Sequence, residues 1–555
     1  MSALPGGLTG VFWSGANNQI SLLNVFGGVT NYWTWDVVPH GSISGTTISS
    51  PVVFIGFNND WRTAMENFAD ENTLLVPALH WTNGVPFGWN SWGVTNYQNH
   101  ITYSAAIAVS DSIHTNLQPY GFTNGATVYV NFDSGWDNLS SSQLQSFVNH
   151  CHASGQKAGI YWTPFTYWGT LSQAVSQAVP NSGYTYSNIL LYTSSGAAIS
   201  HDGGYAIDPT HPGTRELIQY QINQFTNWGF DYLKLDFLSH GSLEGVHYDP
   251  AVTTGIQAFN QGMRYLLGQI NGSMFISESI APIFPYQYAH SRRIACDAYT
   301  SFISNTEYTM NAVSCGWWIG GRLYPFNDPD MLVFDNGPDF NEAQSRLING
   351  VATGLILNGS ILTNAASVGL AQTCLTNAAI NAVARVGQTF RPVDGASGTG
   401  AGTIFFRQNG NTWCLAVFNY TGGATNITVN LNNAGLPAYA FMATNLWDGT
   451  TSAVSNSFTV SLNEKQAKLF QLGLADSPPQ PAVAVPVSDG YGNWIFTGSN
   501  GIPGWSCALL VSSNLGLPTS QWQELATNTF DENGNLCFTT PTGSNQSQFY
   551  LLKMQ

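Results

Sequence analysis

The middle of the chain alternates short apolar runs with longer amphipathic stretches. Short apolar runs bounded by turn residues predict strands, and apolar positions three and four residues apart predict helices, as in 141–154 and 214–228. The predicted strands lie at 86–92, 128–133, 158–163, 232–237, 274–278, 293–297, 331–334 and 355–362. Eight strands that alternate with helices over about 290 residues indicate an α/β fold, a parallel (β/α)8 TIM barrel.

The pattern changes on both sides of this region. Before it, short strands are broken by Gly, Asn and Ser, and after it the helical period gives way to strands separated by Gly and Asn turns. A proline-rich stretch favours a stiff linker. The predicted domains are an N-terminal β-rich segment at 1–80, a catalytic barrel at 81–385, an antiparallel β-sandwich at 386–475, the linker at 476–486 and a small C-terminal β module at 487–555.

Composition and charge narrow the class of partner. Charged residues make up 8% of the 555 residues, and the formal charge of -16 opposes nucleic acid and anionic membrane as partners. This balance fits a neutral substrate. The first residues show neither a basic segment nor an apolar core of a signal peptide. We therefore expect a cytoplasmic protein or, given the composition, a secreted or periplasmic one in processed form; the oligomeric state stays open.

The cysteines indicate neither a disulfide framework nor a metal site. There are seven, an odd number, and they are scattered along the chain. Cys507 and Cys537 could pair, but two buried thiols are the preferred interpretation. No Cys and His cluster has the spacing of zinc ligands. We predict no metal and no organic cofactor, because paired carboxylates, the candidate chemistry of this chain, need neither.

Polar residues end several of the predicted barrel strands. Asp133, Asp236, Glu278 and Asp297 stand there, at the end of a barrel where active sites occur. Lys234 and Asp236 are two residues apart, so they share one face of a strand. A buried ammonium beside a buried carboxylate is costly, so the pair is either functional or a structural ion pair at a strand end.

Asp236 and Asp297 form the candidate catalytic pair. They end two predicted strands that are two apart in sequence order, so they could face each other across the barrel mouth. Carboxylates about 5–5.5 Å apart suit a retaining glycosidase, and about 6.5–9.5 Å suits an inverting one. For either Asp alone, a helix cap or a loop hydrogen bond is the competing interpretation.

Several motifs in a fixed order resemble one enzyme family. They are Pro86-Phe87-Gly88-Trp89-Asn90-Ser91-Trp92, Asn131-Phe132-Asp133-Ser134-Gly135-Trp136, Gly159-Ile160-Tyr161, the strand ending at Asp236, Ile276-Ser277-Glu278, Arg293 with Asp297, Asn327-Asp328-Pro329-Asp330-Met331-Leu332 and Leu446-Trp447-Asp448. Together they resemble the clan D glycoside hydrolases, above all family 27, the melibiase-type α-galactosidases, with some likeness to family 36. The resemblance spans roughly 80–475.

The resemblance implies a catalytic role for each acid. Asp236 would be the nucleophile that forms a glycosyl-enzyme, with Lys234 favouring its ionised form. Asp297 would be the general acid and then the base, protonated in the resting enzyme. Arg293 is expected to hold a sugar hydroxyl rather than Asp297 itself, because a close guanidinium would lower the pKa of the acid.

The resemblance also implies a sugar-binding set. Its members are Trp92, Asp133, Ser134, Tyr161, Lys234, Glu278, Arg293 and Asp330. Trp92 would stack on the sugar, whereas Trp89 is interpreted as structural. Tyr161 and Glu278 would line the same subsite or stand behind it, and for Asp330 a structural loop role is equally compatible. The histidines and the acid at 240, 247 and 244 are interpreted as solvated loop residues.

Two departures from the family pattern concern the sugar. Ser134 stands where the family carries a second acid that binds galactose hydroxyls, and the residues after Tyr161 are unusually aromatic. We therefore predict a retaining exo-acting glycosidase for α-linked galactose or a close relative. The alternatives are β-L-arabinopyranoside, N-acetylgalactosamine, an α-glucan end or a modified galactose, and from another class a non-catalytic carbohydrate-binding barrel.

Overall fold

Parallel strands of the central region pair side by side in a closed ring. The computed structural model describes residues 8–14, 19–25, 46–47, 54–58, 60–93, 101–125, 127–362, 364–393, 400–476, 481–541 and 548–554. The ring has eight strands, numbered strand 1 to strand 8: Phe87–Asn90, Tyr129–Asn131, Lys157–Trp162, Tyr232–Leu235, Phe275–Glu278, Ser291–Arg293, Phe326–Asp328 continued by Met331–Leu332, and Ile356–Asn358.

Strand 7 closes the ring because it is divided at Pro329 and Asp330. Its first half pairs with strand 6 and its second half with strand 8. Strand 8 pairs with strand 1, and all these pairings are parallel. The predicted (β/α)8 barrel is therefore confirmed.

Helices connect most of the barrel strands. Strands 1 to 4 are followed by Tyr103–Asn116, Ser141–Ala153, Pro212–Trp228 and Gly255–Ile270, and strands 6 to 8 by Ile303–Gly316, Phe340–Thr353, and Ala365–Leu375 with Ala378–Ala384. The fully described residues 279–290 join strands 5 and 6 without a helix. Helix Trp61–Leu75 precedes the barrel. In the described part of the chain, none of the helices combines the length and apolarity needed to cross a bilayer.

The long connection after strand 3 is a small lobe, residues 163–211. It contains the strands Thr166–Tyr167, Ser200–His201 and Gly204–Ala206 in one antiparallel sheet, and the helices Leu171–Ser176 and Tyr186–Ile189. A buried apolar cluster holds it together, formed by Tyr167, Ala174, Val179, Ile189, Leu190 and Ile207 of the lobe with Leu217 of helix Pro212–Trp228. The core of the lobe thus extends to this helix.

The inward side chains of the barrel follow the two-residue period of its strands. Strands 2, 4, 5 and 7 begin with aromatic residues whose rings pack together: Tyr129, Tyr232, Phe275 and Phe326. Two residues further on, the same face carries polar groups, such as Ser277 and Asp328, which hydrogen-bond at 3.3 Å. Because aromatic rings fill the amino-terminal end, the charged groups concentrate at the carboxyl end.

Two strands lie earlier in the chain than the pattern predicted. Strand 6 ends at Arg293, so Asp297 lies in the loop beyond it rather than at the strand end. Strand 7 begins at Phe326, and its first half is not visible in the pattern because the strand is interrupted before Met331. Pro329 has no N–H for the ladder, and Asp330 adopts a left-handed φ of 70°.

The chain divides into two compact units. One comprises Met1–Thr403, Phe418–Gly423 and Asn463–Ala467, and includes the antiparallel hairpin of Leu8–Ser14 and Gln19–Val25. The other comprises Ile404–Val417, Ala424–Leu462 and Lys468–Gln555. Its larger sheet has the order Ile404–Asn409, Thr412–Phe418, Ala467–Leu474, Ala440–Asn445, Thr451–Ser455, Ser457–Leu462 and Thr425–Asn430, with antiparallel pairings.

The last part of the second unit carries two small sheets. One joins Ala482–Val483, Asn493–Ser499, Val487–Ser488 and Leu536–Pro541, and the other joins Gln523–Thr529, Ser506–Ser512 and Phe549–Met554. Trp505 is buried, and its ring lies 5.7 Å from that of Trp413. Cys507 is buried and Cys537 is exposed, and neither forms a disulfide. The expectation of two buried thiols holds for Cys507 alone.

Candidate active site

A buried group of charges lies at the carboxyl ends of strands 2 and 4. Lys234 Nζ lies 2.7 Å from Asp133 Oδ2. The same oxygen accepts a hydrogen bond from Asn90 Nδ2 at 2.9 Å, and Asp133 Oδ1 accepts one from the backbone N–H of Ser134. Among the described residues, Asp133 therefore keeps a free lone pair on Oδ1 for a ligand hydroxyl.

Lys234 stays charged although it is buried. Burial alone would lower the pKa of its ammonium, but the attraction of Asp133 and then of Asp236 raises that pKa above its ordinary value. The Nζ atom also lies 5.5 Å from the centre of the Tyr161 ring. Because the lysine remains a cation, it favours the ionised form of both neighbouring carboxyls.

Asp236 follows strand 4 on the face of Lys234 and is buried. Its carboxylate accepts a hydrogen bond from the N–H of Phe237 at 2.8 Å, and Phe237 turns the chain with a left-handed φ of 51°. Burial, and then the negative charge of Asp236, raise the pKa of the Tyr161 hydroxyl. Burial raises the pKa of Asp236, and the charge of Lys234 opposes this rise without cancelling it.

Arg293 holds two carboxylates with one nitrogen. Its Nη2 lies 3.1 Å from Asp297 Oδ1 and 2.9 Å from Asp330 Oδ2. The expectation that Arg293 avoids Asp297 was therefore wrong, because the loop after strand 6 folds back over the guanidinium. The Nε of Arg293 is buried and has no hydrogen-bond partner among the described residues.

The arginine changes the protonation expected of Asp297. Partial burial would raise the pKa of Asp297, but Arg293 and then Lys234 outweigh it, and the pKa lies below its ordinary value. Asp297 is thus ionised at neutral pH in this arrangement, contrary to the expected resting acid. Its side chain is 56% exposed. A ligand that covers this exposed side would remove solvent from the carboxylate and so raise the pKa of Asp297, which favours its protonated form.

Asp330 is engaged in contacts within the protein. Its Oδ2 accepts the N–H of Ala298 at 2.7 Å in addition to Arg293, and its own N–H donates to Asp328 Oδ1. Both lone pairs of Oδ2 are therefore used. The structural role weighed for Asp330 has support from these contacts, and a sugar contact would have to use its other oxygen.

Glu278 does not join this group. Strand 5 directs Phe275 and Ser277 into the barrel, so Glu278, one residue later, points to the opposite side. There its Oε1 accepts the hydroxyl of Tyr324 at 2.6 Å, and Arg292 lies nearby. The predicted place of Glu278 in the subsite of Tyr161 is therefore corrected.

The loop after strand 4 is largely buried, which contradicts the prediction of solvated loop residues. His240 is fully buried, and its Nε2 lies 2.7 Å from the carbonyl oxygen of His201. Burial lowers the pKa of His240 to about 4, so the ring is neutral at neutral pH. His247 is buried against Asp208 at 3.2 Å, and Glu244 accepts the N–H of Gly255 at the start of a helix.

Trp89 within strand 1 and Trp92 just after it differ in burial. Trp89 is buried and donates from Nε1 to the carbonyl oxygen of Ser360 at 2.7 Å, which makes it structural. Trp92 is partly buried, and its backbone N–H donates to Asn90 Oδ1. Since Asn90 also binds Asp133, Trp92 lies beside the charged group.

Two members of the site were missed by the sequence reasoning. Asn90 links Trp92 to Asp133, and Asp328 orients Asp330 and faces Arg293. Both lie inside motifs that were recognised. The two-residue period could have found Asp328, since it shares a strand face with Phe326 and precedes Asp330 by two positions.

Comparison with known proteins supports the family resemblance. No family model matches the chain. A probable alpha-galactosidase A of Aspergillus clavatus is 22% identical over 435 residues, which cover 72% of this chain and 73% of that protein. An alpha-galactosidase of Oryza sativa is 22% identical over 419 residues, covering 69% of this chain and 84% of that one.

Solved structures share the fold. A family 27 β-L-arabinopyranosidase of Geobacillus stearothermophilus superposes with a TM-score of 0.55 at 15% identity, over 72% of this chain and all of that one. An isomalto-dextranase of Arthrobacter globiformis, complexed with panose, superposes with a TM-score of 0.53 at 15% identity, over 85% and 96%. The two alpha-galactosidases support the resemblance to family 27 and the glycoside hydrolase class that the motifs predict, and the solved structures show the shared fold.

Proposed function

We propose that this chain is a retaining, exo-acting glycoside hydrolase that releases terminal α-linked galactose, or a closely related sugar, through a covalent glycosyl-enzyme. The observation that carries the proposal is the pairing of a buried carboxylate with a half-exposed one. Asp236 and Asp297 both lie in the field of the same two cations, Lys234 and Arg293. One acid is thus shielded from water, while the other can exchange a proton.

Asp236 and Asp297 have different roles in the reaction. Asp236 attacks the anomeric carbon as the bond to the leaving oxygen breaks, and Asp297 gives that oxygen its proton. Water then attacks the glycosyl-enzyme, Asp297 takes the proton of this water, and the Asp236 carboxylate is released. While Asp236 is a neutral ester, its charge no longer raises the pKa of nearby acids, which favours Asp297 as the base.

Asp297 has to take up a proton from solvent before the first step, and substrate binding has to raise its pKa for this to happen. Its pKa is low when Arg293 is its partner and water surrounds its exposed side. A sugar that displaces the water and takes donors of Arg293 weakens both stabilising contacts of the carboxylate. The acid is therefore prepared by substrate binding.

The non-reducing sugar is proposed to bind over strands 1 to 4. Asp133 offers one acceptor site, Lys234 offers donors, and Trp92 offers an aromatic face. Tyr161 lines the same site beside Lys234. Ser134 completes the edge with a neutral group in place of a second acid.

A second candidate sugar is the end of an α-glucan. Ser134 removes a charged acceptor, and hydrogen bonds to charged groups are worth about 1.5–3 kcal/mol against about 1 kcal/mol for neutral ones. The isomalto-dextranase that shares the fold over 85% of this chain acts on a glucan by its name. A non-catalytic sugar-binding barrel is disfavoured because binding alone has no need of Asp236 and Asp297 together.

A screen of nitrophenyl glycosides tests the proposal. We expect hydrolysis of α-galactoside, β-L-arabinopyranoside, α-N-acetylgalactosaminide or α-glucoside, with the anomeric configuration of the first product retained by NMR. Inversion would exclude a glycosyl-enzyme. Absence of turnover together with measurable sugar binding would favour the non-catalytic barrel.

We also propose that the enzyme acts outside the cytoplasm, on oligosaccharide or polysaccharide. The support is the low share of charged residues, 8%, and the net charge of -16. Fractionation of the source cells, followed by activity measurement in each fraction, tests the location.

A further inference from the structure

The lobe at 163–211 is anchored next to the nucleophile. The ring of Trp168 packs edge-on against that of Phe237 with centroids 4.7 Å apart, and Phe237 directly follows Asp236. Thr166 Oγ1 donates to the carbonyl oxygen of Phe237, and His240 Nε2 lies 2.7 Å from the carbonyl oxygen of His201. Contacts from two strands of the lobe therefore fix it to the chain that leaves the active site.

Trp168 presents a fixed aromatic surface. Its side chain is among the exposed large apolar groups, at 49%. The indole Nε1 donates to Thr163 Oγ1 at 2.9 Å, and a Cβ placed on Gly204 would lie 3.3 Å from the ring. Because Phe237, Thr163 and the backbone at Gly204 hold the indole, binding costs little conformational entropy. An exposed, immobile indole suits the apolar C–H face of a sugar ring.

Asp202 stands at the tip of the neighbouring hairpin. It adopts a left-handed φ of 46°, which Asp before Gly commonly takes in a two-residue hairpin turn. An open cavity of about 440 Å³ is lined by Ser200, His201, Asp202, Gly203 and Tyr205. Burial raises the pKa of Asp202, His201 opposes this rise, and the negative charge of Asp297 adds to it. Asp202 therefore lies within the electrostatic field of Asp297.

The position of Trp168 and Asp202 relative to the two catalytic acids determines which sugar unit they can contact. Asp133, Lys234 and Tyr161 surround Asp236 and serve the sugar that is attacked. Asp297 gives its proton to the leaving oxygen, so a group beside Asp297 faces the leaving sugar. Asp202 lies on the hairpin whose Gly204 supports Trp168, within the electrostatic field of Asp297.

We propose that Trp168 and Asp202 form a leaving-group subsite, which binds the sugar unit on the reducing side of the scissile bond. The indole stacks on the apolar face of this sugar, and the carboxylate of Asp202 accepts a hydroxyl hydrogen bond. This inference rests on the proposed glycosidase activity and assigns a saccharide, rather than a small aglycone, as the leaving group.

Two kinds of substrate separate this subsite from the catalytic pair. A glycosyl fluoride has no leaving sugar, whereas an α-1,6-linked disaccharide of galactose or glucose on glucose has one. For Trp168→Ala and Asp202→Asn we expect kcat/KM on the disaccharide to fall about 10- to 100-fold, with hydrolysis of the fluoride within about twofold of wild type. Trp168→Phe, which keeps a ring, should lose less than Trp168→Ala. Val175→Ala, an exposed position in the same lobe, is the matched control and should change neither.

Equal losses on both substrates would overturn the proposal, because the lobe would then only support Asp236. Unchanged activity on the disaccharide would overturn it too. Binding provides a readout that needs no turnover: in an Asp236→Ala background, calorimetry should show the disaccharide bound about 10-fold more weakly when Trp168→Ala is added. If the wild type cleaves no glycoside, the proposed function fails, while this binding difference still decides whether the subsite exists.

Discussion

Arg293 binds Asp297 directly: its Nη2 lies 3.1 Å from Oδ1 of the proposed general acid. The same nitrogen lies 2.9 Å from Asp330, so the two carboxylates compete for one donor. The strength with which Arg293 holds Asp297 therefore depends on Asp330, a residue that has no part in proton transfer.

Asp330→Asn tests this competition. Loss of the Asp330 charge removes a negative charge that repels Asp297. It also removes the carboxylate that competes with Asp297 for Arg293, and both effects lower the pKa of Asp297. Because Asp297 must be protonated to act as an acid, activity should then be lost at lower pH. We expect the alkaline limb of kcat/KM to move down by about 0.5 to 1 pH unit. An unchanged limb, or one that moves up, would contradict the shared-donor arrangement.

Asp236→Ala should remove the nucleophile without removing the fold. We expect kcat on a nitrophenyl glycoside to fall by at least about a thousandfold, or roughly 4 kcal/mol of barrier. Added azide should restore turnover in part by filling the space of the carboxylate, and it should give a glycosyl azide of inverted configuration. Asp137→Ala, an exposed acid after strand 2, serves as control. Activity of Asp236→Ala near that of wild type would exclude the assignment.

Asp297→Ala should show an effect that depends on the leaving group. A nitrophenolate needs little proton assistance, whereas a sugar alkoxide needs much. We expect kcat/KM on a nitrophenyl glycoside to fall far less than on a disaccharide, by a margin of about 100-fold or more. Equal losses on the two substrates would mean that Asp297 is not the acid.

The sequence predicts the parts of this site that depend on strand periodicity. Lys234 and Asp236 share a face because they are two residues apart, and the structure puts both against the same neighbours. The prediction for Glu278 used only its place at a strand end. Because Glu278 is an odd number of residues from Phe275, the two-residue period points it out of the barrel, towards Tyr324.

Loop contacts are beyond this kind of prediction. The contact of Arg293 with Asp297 depends on how the residues after strand 6 fold back, and that of Trp168 with Phe237 on how a lobe of its own fold returns to the barrel. The course of this loop and of this lobe is not reflected in any periodic pattern of apolar and polar residues. The same holds for His240, whose polar side chain suggested solvent although it is buried against His201.

Ser134→Asp tests which sugar is recognised. The N–H of Ser134 donates to Asp133 Oδ1 at 2.8 Å, so the side chain at 134 lies next to the remaining acceptor site of Asp133. A charged acceptor there should strengthen the binding of galactose hydroxyls by about 0.5–2 kcal/mol, roughly 2- to 30-fold in kcat/KM on galactosides. Ser134→Asn controls for size. If the aspartate lowers activity on galactosides, the side chain at 134 does not face the sugar.

Glu278→Gln should change how stability depends on pH. Burial raises the pKa of Glu278 from its ordinary 4.5 to about 7, against the opposing effects of Arg292 and of the hydroxyl of Tyr324. An acid with a raised pKa contributes its stability below the unfolded value and loses it as pH rises through the folded value. Wild type should therefore lose about 3 kcal/mol between roughly pH 4.5 and 7 from this group.

The variant isolates that contribution because Gln keeps the shape and an acceptor for Tyr324 but cannot ionise. We expect the midpoint of thermal unfolding to fall less steeply over this pH interval in Glu278→Gln than in wild type, with the two converging near pH 4.5, where Glu278 is protonated. Glu524→Gln, an exposed acid of the second unit, is the control and should follow wild type. A steeper fall in Glu278→Gln would mean that Arg292 and Tyr324 stabilise the carboxylate more than burial destabilises it.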